Sequence, residues 1–124
     1  MKFYICETCG NIVTKLNDSG VPLVCCGKPM KLLEPGVVDA AVEKHIPAVE
    51  VQGAEICAKV GEVTHPMTPE HFIQWIALET KSGVQIHDLK PEEAPEARFI
   101  LPEGEKALAV YAYCNLHGLW KKEL

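Results

Sequence analysis

The chain has 124 residues, of which 48% are hydrophobic, and its formal net charge is −5 with a single arginine, Arg98. This length allows one modest domain, or one small domain with a metal-stapled appendage. The acidic balance excludes a typical nucleic-acid-binding protein, which needs a basic face, and requires local positive charge at any site for an anion. Neither an apolar run of eighteen residues nor a signal peptide is found, so the predicted location is the cytoplasm.

Cysteine pairs dominate the first 30 residues. Two residues separate Cys6 from Cys9, Gly10 follows, and fifteen residues separate Cys9 from the adjacent pair Cys25 and Cys26. In a cytoplasmic chain this spacing predicts a tetrathiolate metal site rather than disulfides. Zinc in this site would only staple a segment too small to fold alone, whereas iron would carry one electron. The spacing does not choose between the two metals.

Two short strands are predicted between the cysteine pairs, at Ile12–Leu16 and Val21–Val24. The sequence between them, Asn17-Asp18-Ser19-Gly20, is typical of a turn, so the strands are expected to form a hairpin. Lys31–Gly36 is interpreted as a connector ending in the turn sequence Glu34-Pro35-Gly36. This turn predicts a boundary between a domain of residues 1–36 and one of residues 37–124.

The second domain is predicted to be mainly β. Ile56, Ala58 and Val60 alternate with Glu55, Cys57 and Lys59, as in a strand with one buried face. Turn signals at Gly and Pro separate several such segments, which favours a β-sandwich. Thr68-Pro69-Glu70 is expected to start one short helical turn. The predicted strands are Pro47–Val51, Glu55–Val60, Ile73–Leu78, Val84–Leu89, Ala97–Leu101 and Ala107–Tyr113.

A second set of metal-ligand side chains lies in three turn-rich stretches of this domain. The set contains four of the five histidines and one cysteine, namely His45, His65, His71, Cys114 and His117. Five donors are too many for an ordinary zinc site and suit an iron ion with one position left open. His87 lies in a strand-like run without such partners and is interpreted as an ordinary histidine. Trp75 and Trp120 are expected in the core or in the wall of the site.

Charged residues precede the first histidine of this set. Glu43 and Lys44 are adjacent to His45, and a solvated charge pair is the simplest interpretation of them. Beside a metal ligand, however, the Lys44 ammonium can attract an anion, and the Glu43 carboxylate can occupy the open position when no substrate is bound. Cys57 has no cysteine partner and is interpreted as structural.

Taken in order, these motifs resemble those of the desulfoferrodoxins, the two-iron superoxide reductases. The matching stretches are Cys-x-x-Cys…Cys-Cys, Glu-Lys-His-Ile-Pro, His-Pro-Met-x-x-x-His-x-Ile-x-Trp and Cys-Asn-x-His-Gly, and they cover nearly the whole chain. The resemblance implies a small desulforedoxin-like metal-stapled β domain followed by an immunoglobulin-like β-sandwich. It also implies a homodimer and a rubredoxin-type electron donor.

The resemblance also assigns roles to individual residues. Cys6, Cys9, Cys25 and Cys26 would hold an Fe(Cys)4 centre. His45, His65, His71 and His117 would be equatorial ligands of a second iron, and Cys114 its axial ligand. Glu43 and Lys44 match the active-site pair of the family. Cys57 and His87 match no functional position.

The resemblance, together with the open position, predicts a superoxide reductase. Superoxide would take one electron at the His/Cys iron and leave as hydrogen peroxide, which removes superoxide without releasing dioxygen. The Fe(Cys)4 centre has no vacancy and would act as an electron relay or reserve. Two alternatives remain, namely a non-catalytic electron-transfer or redox-sensing protein and a two-zinc protein with a hydrolytic site.

Overall fold

The computed structural model describes residues 1–124, which divide into two compact units, Met1–Glu34 and Pro35–Leu124. The chain is nearly all β, with one short helix. The first unit contains β1 (Phe3–Ile5), β2 (Ile12–Val13), β3 (Val24–Cys25), β4 (Lys28–Pro29) and β5 (Lys31–Leu33). The second contains α1 (Val42–His45), β6 (Pro47–Gln52), β7 (Glu55–Val60), β8 (Ile73–Thr80), β9 (Val84–Asp88), β10 (Glu96–Ile100), β11 (Ala107–Cys114) and β12 (Gly118–Glu123). The α1 helix is too short to cross a membrane.

The hairpins of the first unit differ from the predicted one. β2 pairs with β1 and β3 pairs with β4, so the predicted pairing of Ile12–Leu16 with Val21–Val24 is wrong. The reason lies in the Cys6–Gly10 turn, where the Cys6 N–H donates to the Asn11 carbonyl at 2.9 Å and the Gly10 N–H to the Cys6 carbonyl at 2.8 Å. This turn reverses the chain between β1 and β2 and therefore acts as the hairpin loop.

The predicted connector is also partly wrong, because its first half is a strand. Lys31–Leu33 forms β5, which pairs antiparallel with β1 and completes a sheet in the order β2-β1-β5. The division between the two units falls directly after it, between Glu34 and Pro35.

The second unit is a sandwich of two antiparallel sheets. One sheet has the order β10-β7-β6 and the other β12-β11-β8-β9. Two sheets of three and four strands, connected in this order, form an immunoglobulin-like sandwich, as expected from the resemblance. All six predicted strands are present, and β12 was not predicted.

The core of the sandwich follows from the alternation in the sequence. Ile56, Ala58 and Val60 of β7 are at most 1% exposed, and Phe99 of β10 is 4% exposed. They pack against buried residues of the other sheet, among them Ile76, Leu78, Val110 and Ala112. Each such large apolar side chain contributes about 1.5–3 kcal/mol on full burial. The rigid sandwich therefore fixes the ends of β7, β8 and β11, from which the candidate site is built.

The loop between β7 and β8 does not contain the predicted helical turn. The Thr68 N–H donates to the His71 carbonyl at 3.0 Å and the His71 N–H to the Thr68 carbonyl at 3.1 Å, which makes an isolated antiparallel bridge. This pairing competes with helical hydrogen bonds. The only helical turn of the chain is α1, where none was predicted.

Candidate metal centres

The first unit brings four sulfur atoms together. The Sγ atoms of Cys6, Cys9, Cys25 and Cys26 all lie within 4.8 Å of one another. Cys6 and Cys9 come from the turn after β1, and the other two from the end of β3 and the tight turn that follows it. That turn places Cys26 at φ 52° and Gly27 at φ 74°, and this left-handed backbone lets two adjacent cysteines serve one centre. Cys6 is buried, whereas Cys9 and Cys26 are exposed.

Three of these thiols have shifted pKa values. The Cys9 N–H donates to Cys6 Sγ at 3.5 Å, and this backbone hydrogen bond lowers the pKa of Cys6 to about 6. Hydrogen bonding with the Cys9 and Cys6 sulfurs raises the pKa of Cys26 to about 12 and also raises the pKa of Cys25. The backbone thus stabilises the Cys6 thiolate, while the neighbouring sulfurs oppose ionisation of Cys25 and Cys26. A cation is needed to hold four thiolates together, so the group fits a metal ion.

A second donor group is assembled by three segments of the second unit. Its atoms also lie within 4.8 Å of one another and come from His45, His65, His71, Cys114 and His117. The first histidine ends α1, the next two lie in the loop between β7 and β8, and the last two residues lie in the β11–β12 hairpin. Gly118 closes that hairpin at φ 77° and pairs with Cys114. These three segments are far apart in the sequence, and the folded sandwich brings them together.

Hydrogen bonds fix the orientation of two imidazoles. The Nδ1 atom of His45 lies 2.7 Å from the Ala41 carbonyl, and Nδ1 of His65 lies 2.7 Å from the Pro66 carbonyl. Because a carbonyl only accepts, each Nδ1 carries the proton and each Nε2 presents a lone pair. The two Nε2 atoms nevertheless face each other at 3.1 Å. Two lone pairs at this distance repel unless a cation lies between the donor atoms.

The donor atoms of His71, Cys114 and His117 lie close to the same two Nε2 atoms. Nε2 of His71 is buried without a hydrogen-bond partner, which is unusual for a polar atom. Nδ1 of His117 lies 3.1 Å from Nε2 of His45 and 3.9 Å from Sγ of Cys114. An orphaned ring nitrogen inside a ring of donors is the arrangement that a metal ion satisfies. The residues present therefore fit a metal with four nitrogen ligands and one sulfur ligand.

Burial favours the neutral form of His45, His65 and His71. It lowers the pKa of His65 to about 4, and it also lowers the pKa values of His45 and His71. Trp120 forms part of the wall, since its ring lies 5.0 Å from that of His45 and its Nε1–H donates to the His117 carbonyl at 3.0 Å. A neutral imidazole is the form that binds a metal, so the site is prepared for one at neutral pH.

The thiol of Cys114 experiences opposing effects. Complete burial raises its pKa, while the backbone N–H groups of His117 and Leu116 lower it. These amides would stabilise a thiolate ligand in the same way as the Cys9 N–H does at Cys6.

Glu43 and Lys44 have exposed side chains on α1, directly before His45. Besides burial and the neighbouring histidines, the charge of Lys44 lowers the pKa values of His45 and His71, so its ammonium acts electrostatically on the donor group. Glu43 has the opposite effect on His45. One positive and one negative group therefore lie directly before His45 in a protein of net charge −5.

Asn115 is a contributor that sequence reasoning did not identify. Its Oδ1 accepts from the Phe72 N–H at 2.9 Å, and its Nδ2 donates to the Glu70 carbonyl at 3.0 Å. Its side chain thus joins the hairpin that carries Cys114 to the backbone on either side of His71. The Cys-Asn-x-His-Gly motif was the available signal, but it does not reveal this partner.

Two residues lie outside both donor groups. His87 is exposed on β9, at the edge of its sheet. Cys57 lies on the outward face of β7, where its Sγ–H donates to the Glu55 carboxylate at 3.2 Å. That hydrogen bond and partial burial raise the pKa of Cys57, which disfavours its reactive thiolate form.

Comparison with known proteins covers both units. Residues 1–33 match the desulfoferrodoxin N-terminal domain and residues 37–123 match the desulfoferrodoxin family. A desulfoferrodoxin from Syntrophotalea carbinolica is 50% identical over 99% of this chain and 96% of its own length, and one from Nitratidesulfovibrio vulgaris is 46% identical over 98% and 95%. The crystal structure of the superoxide reductase from Treponema pallidum superimposes with a TM-score of 0.81 at 40% identity and covers 98% of both chains. The chain therefore belongs to the desulfoferrodoxin family.

Proposed function

We propose that this protein is a superoxide reductase that converts superoxide to hydrogen peroxide with one electron and two protons. The observation that carries the proposal is the inward-facing group of four imidazoles and one thiol in the second unit. Solved relatives that cover 66–98% of this chain and are 33–40% identical bear the name superoxide reductase. Removal of superoxide without release of dioxygen would make the protein a detoxifying enzyme.

Two iron ions are the cofactors of this proposal, one in each unit. The Fe(Cys)4 centre belongs to a domain of residues 1–36, and the Fe(His)4(Cys) centre to a domain of residues 37–124. The proposed ligands are the two groups of donors described above. Bound iron would supply the electron for superoxide, and the four sulfurs of the first centre would leave no free position for a substrate. The first centre is therefore assigned to electron storage or relay.

The residues around the second centre have separable tasks. The neutral rings of His45 and His65 are held by backbone carbonyls, so the ligand atoms need no reorganisation. Trp120 shields the His45 side of the group from water. The Lys44 ammonium attracts the superoxide anion against the repulsion of a net charge of −5, and it orders the water that supplies protons. The Glu43 carboxylate would cover the donor group when no substrate is bound.

The electron donor and the assembly are further parts of the proposal. Exposed Cys9 and Cys26 allow a rubredoxin-type protein to approach the first centre closely. The same unit exposes large apolar side chains, with Leu16 at 92%, Val21 at 65% and Val24 at 66%, which supports association of two chains in a homodimer. Six unpaired cysteines suit the reducing cytoplasm.

Paired histidine variants test the function. His71→Ala removes a ring nitrogen that makes no hydrogen bond in the protein, and His87→Ala removes an exposed histidine outside the donor group. Both variants are loaded with iron, reduced, and mixed with superoxide. The proposal predicts rapid superoxide loss with wild type and His87→Ala, and a rate close to the uncatalysed one with His71→Ala. Full activity of His71→Ala contradicts the assignment of the site.

A further inference from the structure

Gly61 lies against the backbone of the segment that carries Glu43, Lys44 and His45. A Cβ atom added at Gly61 would meet the Glu43 carbonyl oxygen at 2.7 Å, and the Ile46 carbonyl oxygen and the Lys44 carbonyl carbon at 2.9 Å. All three are backbone atoms, which cannot rotate away as a side chain would. No other glycine of the chain is so confined.

One hydrogen bond joins the two segments, and two more shape the turn that carries Gly61. The Val63 N–H donates to the Glu43 carbonyl at 2.9 Å, and the Gly61 N–H donates to the Val63 carbonyl at 3.3 Å. Two residues further, the His65 N–H donates to the Val60 carbonyl at 2.9 Å. The turn after β7 therefore joins one candidate ligand, His65, to the backbone that presents another, His45.

The α1 helix has little means of holding this position itself. It is a single turn of four residues, and Ala41 provides no side-chain cap at its N-terminus. Such a short helix is unstable without tertiary contacts, because the cost of nucleation is not recovered. Its place beside the donor group must come from what it packs against, and the Gly61–Val63 turn is its hydrogen-bonded neighbour.

We infer that Gly61 is a positioning residue, which sets the place of the Glu43–Lys44–His45 backbone relative to the donor group. Restoring ordinary contact of 3.4 Å around a new methyl group requires the segments to part by about 0.5–0.7 Å. Metal–ligand distances are held to about 0.2 Å, and a misplacement of about 1 Å in a reactive site costs on the order of 100-fold in rate. The part of this inference that concerns Lys44 and superoxide rests on the proposed function; the part that concerns backbone position does not.

The experiment compares Gly61→Ala with Gly83→Ala in the iron-loaded protein. Gly83 is the matched control, because a Cβ there meets only Thr80 Oγ1, at 3.9 Å. Three quantities are measured: amide hydrogen exchange at Val63, the visible absorption of the oxidised His/Cys centre, and the second-order rate with superoxide. For Gly61→Ala we expect at least tenfold faster Val63 exchange, a shifted absorption band and a rate reduced about tenfold or more. Gly83→Ala should match wild type in all three.

The outcomes separate positioning from general stability. A Gly61→Ala protein that melts earlier but keeps the wild-type exchange, spectrum and rate overturns the inference. Changed exchange and spectrum, in a protein whose wild type does not react with superoxide, support the positioning role and refute the proposed function. If Gly61→Ala does not fold, Val63→Pro removes the donor to the Glu43 carbonyl without adding a Cβ at residue 61. An unshifted absorption band in that variant likewise overturns the inference.

Discussion

The side chain of Asn115 offers a sharp test of how the second centre is assembled. Asn115→Ala removes both side-chain hydrogen bonds to the His71 loop, those at 2.9 and 3.0 Å, and keeps the bond from the Asn115 N–H to the Phe72 carbonyl at 3.2 Å. Asn115→Asp keeps the oxygen that accepts from the Phe72 N–H, but it places a carboxylate oxygen opposite the Glu70 carbonyl. The two substitutions therefore weaken the side-chain connection between the His71 loop and the hairpin of Cys114 to different extents.

The expected loss of stability follows from the number of hydrogen bonds that are removed. Each contributes about 0.5–1.5 kcal/mol to stability, so Asn115→Ala should lower the free energy of unfolding by about 1–3 kcal/mol. In a unit of this size each kcal/mol lowers Tm by about 4–8 °C. Groups that orient metal ligands typically change metal affinity by about 10–100-fold when removed, and we expect a loss in that range for the second iron.

The assay is iron retention after a challenge with a chelator, with Tm measured in parallel. Gln85→Ala is the matched control, since Gln85 Nε2 donates to the Ile100 carbonyl at 2.9 Å, a side-chain bond of the same kind between strands of the two sheets. We expect retention of the second iron to fall from wild type to Asn115→Asp to Asn115→Ala, with Gln85→Ala equal to wild type. Equal retention in Asn115→Ala and Gln85→Ala would refute the reasoning.

Three further predictions concern separate parts of the molecule. Cys9→Ser should lose the first iron and its colour while the His/Cys centre stays loaded, as metal analysis would show; loss of both irons would contradict independent centres. Lys44→Ile should slow the second-order reaction with superoxide about tenfold and weaken its dependence on ionic strength at unchanged iron content, whereas an unaltered rate would make Lys44 an ordinary surface charge. Glu55→Gln should lower the raised pKa of Cys57, because the carboxylate that disfavours the thiolate is gone. Alkylation of Cys57 at pH 8, measured by mass spectrometry, should therefore be faster. An unchanged alkylation rate would show that Glu55 is not what raises the pKa.

The strands of the sandwich could be predicted where every second residue is buried, because apolar residues then alternate with other residues along the sequence. In β7 the apolar residues Ile56, Ala58 and Val60 face the core and Glu55, Cys57 and Lys59 face away, as their alternation indicates. β12 gives no such pattern, because Leu119 and Trp120 are adjacent and both buried. It is a strand because β11 pairs with it, with Ala112 opposite Trp120.

The errors in the first unit have a different origin. Strands of two or three residues carry almost no periodic signal, so their partners are decided by tertiary structure. The turn sequence Asn17–Gly20 suggested a local hairpin, but the hydrogen bonds of the Cys6–Gly10 turn select β1 as the partner of β2.

The candidate site likewise contains residues that the sequence could predict and residues that it could not. Residue type and turn-rich context were enough to group His45, His65, His71, Cys114 and His117, which the structure brings together. The roles of Asn115 and Gly61 depend on backbone atoms that lie 43–45 and 15–18 positions away along the chain. No local pattern encodes such distant contacts, so these supports could be recognised only in the folded chain.

We expect the His/Cys centre to reduce superoxide and not to dismutate it. The most direct measurement is a pulse of superoxide given to the reduced protein, with dioxygen and hydrogen peroxide followed together. Reduction predicts one peroxide for each electron supplied, no dioxygen from superoxide, and an end to turnover when the donor is exhausted. Sustained evolution of dioxygen without added reductant would contradict the account and identify a dismutase.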